Sequence, residues 1–106
     1  MASILKAYHP EAFDHVNSLA KHVMQDRALS TKIKELMAIA LSIAAGCEPC
    51  VKIHTRRALQ QGATREEIGE TIGVAVLLLG GPADVWPAQI IEEEINKYYE
   101  KTANHL

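Results

Sequence analysis

The run "LMAIALSIAA", Leu36 to Ala45, is apolar at every position but Ser42, is closed by Gly46, and is followed three residues later by Pro49. This succession constrains the fold more than any other stretch. Ser30 and Thr31 ahead of it suit an N-cap, and Gly46 suits the left-handed position at which many helices stop. The expectation is a helix from the Ser30-Thr31 cap to just before Gly46, buried on most of its sides. A further helix starts at Glu48-Pro49, because proline is tolerated in the first turn, and Gly62 closes it after Gln60-Gln61.

The remaining punctuation repeats this logic. Pro10 and Glu11 suit a helix start, and Phe13, Val16, Ala20 and Val23 recur on one face, which predicts a helix from Pro10 to Met24. Thr64-Arg65-Glu66-Glu67 is a capping-box pattern, so a fourth helix runs from there to about Leu79 with Ile68, Ile72, Val76 and Leu79 as its apolar face. Gly69 and Gly73, one turn apart on it, would admit another helix at close range. Gly80-Gly81-Pro82 breaks the chain again, and a last helix lies within Pro82 to Lys101, its start blurred by Pro87. No period-two alternation persists anywhere, so the expected fold class is all-α with about five helices.

At 106 residues the chain suffices for one core, and residues 1–106 are read as a single domain. Nearly half of it is hydrophobic and the formal net charge is −2, a balance that suggests neither a nucleic-acid footprint nor an acidic tail. Met1 to Pro10 lacks the charged start and long apolar run of a signal peptide, which points to a cytoplasmic protein. The apolar run Val74 to Leu79 is far shorter than the ~18 to 20 residues of a membrane span, so no membrane segment is expected. Apolar helix faces exceed what so short a chain can cover, which favours a homo-oligomer.

Cys47 and Cys50 are the only cysteines. Two are too few for a secreted disulfide framework, and a bridge closing so small a loop is worth only roughly 2 kcal/mol in chain entropy. Three readings stand. The pair can be small buried residues. It can contribute to a metal site, although Cys47, Cys50 and His54 supply three soft ligands where zinc needs four. Or it is a redox dithiol. The third reading draws the most support: Cys50 falls in the first turn of a helix, where free N–H groups and the dipole favour a thiolate, and Cys47 lies within reach to resolve it. Because a helix precedes the Cys-x-x-Cys, the βαβ setting of a thioredoxin is absent.

His54 follows Cys50 by four positions, hence one turn on and on the same face, where an imidazole can take or return a proton. Glu35 lies early in the preceding helix, as a solvated first-turn charge or, if that helix packs on the next, as a base approaching Cys50 and His54. His9, His15, His22 and His105 read as ordinary surface histidines. Arg56-Arg57 reads as a solvated face or a salt-bridge site between subunits, and Trp86 as a core or interface anchor.

With Glu35, twelve residues to Cys47, three to Cys50 and four to His54, inside "ELMAIALSIAAGCEPCVKIHTRRA", the chain resembles the alkylhydroperoxidase AhpD-like branch of the carboxymuconolactone decarboxylase family. "YHPEAF", "GATREEI" and "GGPA" extend the resemblance over most of the chain. It implies an all-α fold assembled into homo-oligomers, trimers or hexamers, and a thiol-dependent peroxidase or disulfide reductase that needs no metal or organic cofactor. Cys50 would attack a hydroperoxide, Cys47 would resolve it, Glu35 and His54 would relay protons, and an external dithiol would reset the pair. One position departs: such members carry a second histidine immediately before the attacking cysteine, and Pro49 stands there. Two other functions are carried alongside, a muconolactone-type decarboxylase, which does not depend on Cys-x-x-Cys, and a non-catalytic oligomer whose cysteine pair senses redox state.

Overall fold

The computed structural model of the protein describes residues 3–103. Among them are seven helices and no strand: α1 (Ile4–Tyr8), α2 (Pro10–Val23), α3 (Thr31–Ala44), α4 (Glu48–Gln60), α5 (Arg65–Leu79), α6 (Pro82–Val85) and α7 (Ala88–Ala103). The expected five are present with their breaks in place, and two short ones are added. Ser3 caps α1 by accepting the Lys6 N–H, and Pro10 ends it by forcing His9 out of helical geometry. Pro87 brings no N–H to the ladder and divides the last segment into α6 and α7.

α3 and α4 form an antiparallel hairpin, with α5 packed beside α3 and α7 against α4. Ile39 of α3 and Val51 and Leu59 of α4 are completely enclosed at its centre. Burial of each contributes about 1.5–3 kcal/mol. Ile68 and Ala75 bring α5 to this core, and Ile91 and Ile95 bring α7.

Three expectations about packing are corrected. α3 is buried along one side only, through Glu35, Leu36, Ile39, Ser42 and Ile43, while Met37 and Leu41 lie on the surface. Its neighbours α4 and α5 cover less than its full circumference. Gly69 and Gly73 admit no helix of this chain, since a side chain at either would meet nothing within 4 Å; α5 packs instead through the flank that carries Ile68 and Ala75. The apolar face of α5 holds at Ile68, thins at Ile72 and Val76, and ends before Leu79, which is exposed.

α2 buries none of its residues. It packs against α1, and its direction from the body is fixed at its C-terminal end. Lys34 Nζ donates to the carbonyls of Val23 and Gln25, both at 2.7 Å, placing a cation on the negative end of the helix dipole. Thr31 Oγ1 donates to the Met24 carbonyl at 2.6 Å, and the Thr31 N–H donates to Asp26 Oδ1 at 2.6 Å. No helix of the described residues is long and apolar enough to cross a membrane.

Candidate functional site

One residue joins the two helices that hold the candidate site. Gly46, at φ +68°, lets the N–H of Gly46 reach the Ile43 carbonyl and the N–H of Cys47 reach the Ser42 carbonyl, both at 3.0 Å, which closes α3 with a Schellman turn. Cys47 is then the N-cap of α4, its Sγ accepting the Cys50 N–H at 3.2 Å. The chain passes from one helix to the next through three residues, Ala45, Gly46 and Cys47. Pro49 occupies the first turn of α4, as its fixed φ allows. Cys47 and Cys50, with Cα atoms 5.2 Å apart, are joined as a disulfide, and both are half-buried.

Hairpin packing brings the N-terminal half of α3 against the middle of α4. There His54 Nδ1 lies 2.6 Å from Glu35 Oε1, across 19 residues of sequence. The Glu35 side chain is 5% exposed and that of His54 25%, so the carboxylate is enclosed while the imidazole reaches the surface. With Glu35 ionised, Nδ1–H is the donor, and Nε2 remains the nitrogen that can accept or release a proton. This arrangement sets the tautomer of an imidazole one helical turn from a helix-start cysteine.

Beside the start of α4 opens a cleft of about 410 Å³ lined by Glu48, Pro49, Lys52, Ile90, Glu93 and Glu94. Glu94, on α7, is buried and accepts two hydrogen bonds from the Arg56 guanidinium of α4, at 3.1 and 3.2 Å. The hydrogen bonds first, and the carboxylate's charge second, hold the guanidinium above its ordinary pKa. Thr55, between His54 and Arg56, is fully buried with its hydroxyl unpaired. Among the described residues no three His, Cys, Asp or Glu side chains converge as metal ligands would.

Of the residues singled out from sequence, Cys47 is bonded to Cys50, and Glu35 to His54. The solvated reading of Glu35 is overturned by its burial. His9, His15 and His22 are exposed, and His105 lies outside the described residues. Arg56 pairs with Glu94 of its own chain while its side chain stays 44% exposed, and Arg57 is exposed too. Trp86 is half-buried and packs on the core. Sequence reasoning did not single out Glu94, which stands in the acidic run Glu92-Glu93-Glu94. Its place one turn from Ile91 and one turn from Tyr98, inside the apolar stripe, was the available signal.

The carboxymuconolactone decarboxylase family model matches residues 10–93. The fold is similar to that of a family protein of Legionella pneumophila, with a TM-score of 0.79 and 37% identity, over 87% of this chain and 82% of that one. It is also similar to a Thermotoga maritima family protein considered for a role in antioxidative response, with a TM-score of 0.71 and 28% identity, over 84% of this chain and 78% of that one. A 46-residue stretch is 37% identical to the alkyl hydroperoxide reductase AhpD of Corynebacterium kroppenstedtii, covering 43% of this chain and 26% of that protein. The helical hairpin with its cysteine-linked turn and the match along residues 10–93 agree, and the chain belongs to the carboxymuconolactone decarboxylase family.

Proposed function

We propose that the chain is a thiol-dependent oxidoreductase that reduces hydroperoxides through a dithiol–disulfide cycle at Cys50 and Cys47. The observation that carries this reading is the Cys47–Cys50 disulfide at the start of α4, one turn from an imidazole held by a buried carboxylate. In the reduced form, the N-terminal dipole of α4 favours the Cys50 thiolate, and His54, oriented by Glu35, takes up the thiol proton.

The Cys50 thiolate attacks the terminal peroxide oxygen, the O–O bond breaks, and the departing alkoxide takes a proton relayed by His54 to leave as an alcohol. The Cys47 sulfur then displaces hydroxide from the Cys50 sulfenic acid. Hydroxide leaves as water with the Cys47 proton, and the disulfide forms. An external dithiol reduces it by exchange, so that hydroperoxide and dithiol become alcohol, water and the oxidised dithiol. No metal or organic cofactor enters the cycle. With Pro49 ahead of Cys50, one histidine and one carboxylate carry the proton relay. The setting is a cytoplasmic homo-oligomer, a trimer or hexamer.

The test is dithiol-dependent consumption of an alkyl hydroperoxide by the wild type and by Cys50→Ser. Turnover in the wild type and none in the variant is expected. Unchanged turnover in Cys50→Ser sinks the assignment, and carbon dioxide release from a muconolactone-type acid would replace it with the decarboxylase reading.

A further inference from the structure

α4 and α7 pack side by side, and the Arg56–Glu94 bridge crosses the seam between them. The seam opens on either side of that bridge, and the two openings differ in charge. Toward the start of α4, the cleft beside Pro49 sets Glu48 and Glu93 against the single cation Lys52. Toward its end, a cavity of about 320 Å³ is lined by Arg56, Gln60, Glu94, Lys97, Tyr98 and Lys101. Three cationic side chains meet one carboxylate there, on a chain whose formal net charge is −2. The carboxylate is already committed to Arg56. Lys97 and Lys101 are left unmatched: among the described residues the ion pairs are made by Lys32, His54 and Arg56, and neither of these lysines makes one. They stand one turn apart on α7, a spacing at which like charges repel.

The other lining groups are donors held in place. A guanidinium carries five N–H groups in a rigid plane, and Arg56 gives two of them, from Nε and Nη2, to the buried Glu94. Its remaining N–H groups are free, and the side chain is 44% exposed. Glu94 therefore orients the Arg56 fork as well as pairing with it. Tyr98 is half-buried against the core and meets the Tyr99 ring edge to face at 5.3 Å, while the Arg65 guanidinium lies 4.1 Å over Tyr99. Its ring is a fixed wall, and its hydroxyl and the Gln60 amide add further donors.

We propose that this cavity binds a phosphoryl dianion, as free phosphate or as the head of a small phosphate ester. The excess of two positive charges matches a group that carries close to two negative ones near neutral pH, and its three or more acceptor oxygens match donors arriving from both helices. A planar carboxylate would satisfy the Arg56 fork but not two ammonium groups besides. The acidic cleft at the other end of the seam repels the same ligand, which confines it to the Lys97–Lys101 end. Arg56 lies six residues beyond Cys50, about 9 Å along α4. The site is thus separate from the dithiol and stands independently of the redox chemistry proposed above.

The experiment is titration of the full chain with inorganic phosphate and, separately, with phenyl phosphate, followed by heteronuclear NMR of the backbone amides. Saturable shifts confined to the Arg56–Gln60 and Glu94–Lys101 segments are expected, with a Kd of about 1 mM or below. Phenyl phosphate binding at least tenfold tighter identifies an ester as the ligand, and equal affinity identifies free phosphate. The double variant Lys97→Gln, Lys101→Gln is expected to bind both at least tenfold more weakly, its spectrum reporting that the fold is kept. Each single variant carries the same test with a smaller loss, should the double one unfold. Lys52→Gln, at the acidic end of the seam, is expected to bind as the wild type does. No saturation by roughly 10 mM, full affinity in the lysine variants, or an equal loss in Lys52→Gln overturns the proposal, the last by showing diffuse attraction to surface cations.

Discussion

Glu35 and His54 belong to different helices and meet at 2.6 Å, with the carboxylate enclosed and the imidazole partly open. The bond leaves one ring nitrogen free and ties the carboxylate to the orientation of the ring. His54→Asn is therefore expected to slow Cys50 oxidation by on the order of 10²-fold. Glu35→Gln keeps the shape, loses the charge, and slows the reaction less but in the same direction. Stopped-flow measurement of peroxide reduction across pH checks this. A Glu35→Gln enzyme with an unchanged pH profile would remove Glu35 from the relay.

Cys47→Ser should separate the two chemical steps. Cys50 oxidises once, the sulfenic acid persists because nothing displaces its hydroxide, and turnover stops after one equivalent of peroxide. Trapping with a cyclic 1,3-dione followed by mass spectrometry is expected to place the adduct on Cys50. An adduct-free variant that still turns over would assign resolution to another thiol.

Arg56 and Glu94 tie α4 to α7 with two hydrogen bonds, and only the carboxylate is buried. Arg56→Met strands that carboxylate without a partner, the costlier way to break such a pair. A fall in Tm on the order of 5–10 °C is expected, larger than for Glu94→Gln, which removes the buried charge itself. Equal shifts in the two variants would show that Glu94 is solvated in solution.

Acid should loosen two exposed anchors. The Thr31 backbone N–H holds Asp26 below its ordinary 3.8, and the Lys32 hydrogen bond, then the Thr64 N–H, holds Glu67 below 4.5. A depressed carboxylate contributes stability that is complete above its unfolded value and is lost as pH falls through the folded one. Tm should therefore decline from about pH 4.5 downward, and Asp26→Asn with Glu67→Gln should flatten that limb. An unflattened limb places the acid sensitivity elsewhere.

The breaks at Gly46, Gly62 and Gly80 and the Thr64–Glu67 cap were legible because each is a local matter of backbone conformation and of hydrogen bonds within a few residues. α1 and α6 were not, since five and four residues hold little more than one helical period. The Cys47, Cys50 and His54 spacing was legible for the same local reason. Glu94 was not, because its burial depends on α7 lying against α4, with Arg56 supplied from the other helix.

By itself the sequence determined an all-α chain, the points where its helices begin and end, and a cysteine pair at a helix start with a histidine one turn beyond. Those properties reside in neighbouring residues, so short-range sterics and hydrogen bonding suffice to specify them. Only the tertiary structure decided that Glu35 is enclosed against His54, that Arg56 serves Glu94, and that α2 and one side of α3 remain bare. These depend on which apolar faces meet. Hydrophobic burial has no direction of its own, and a stripe on one helix does not name its partner on another.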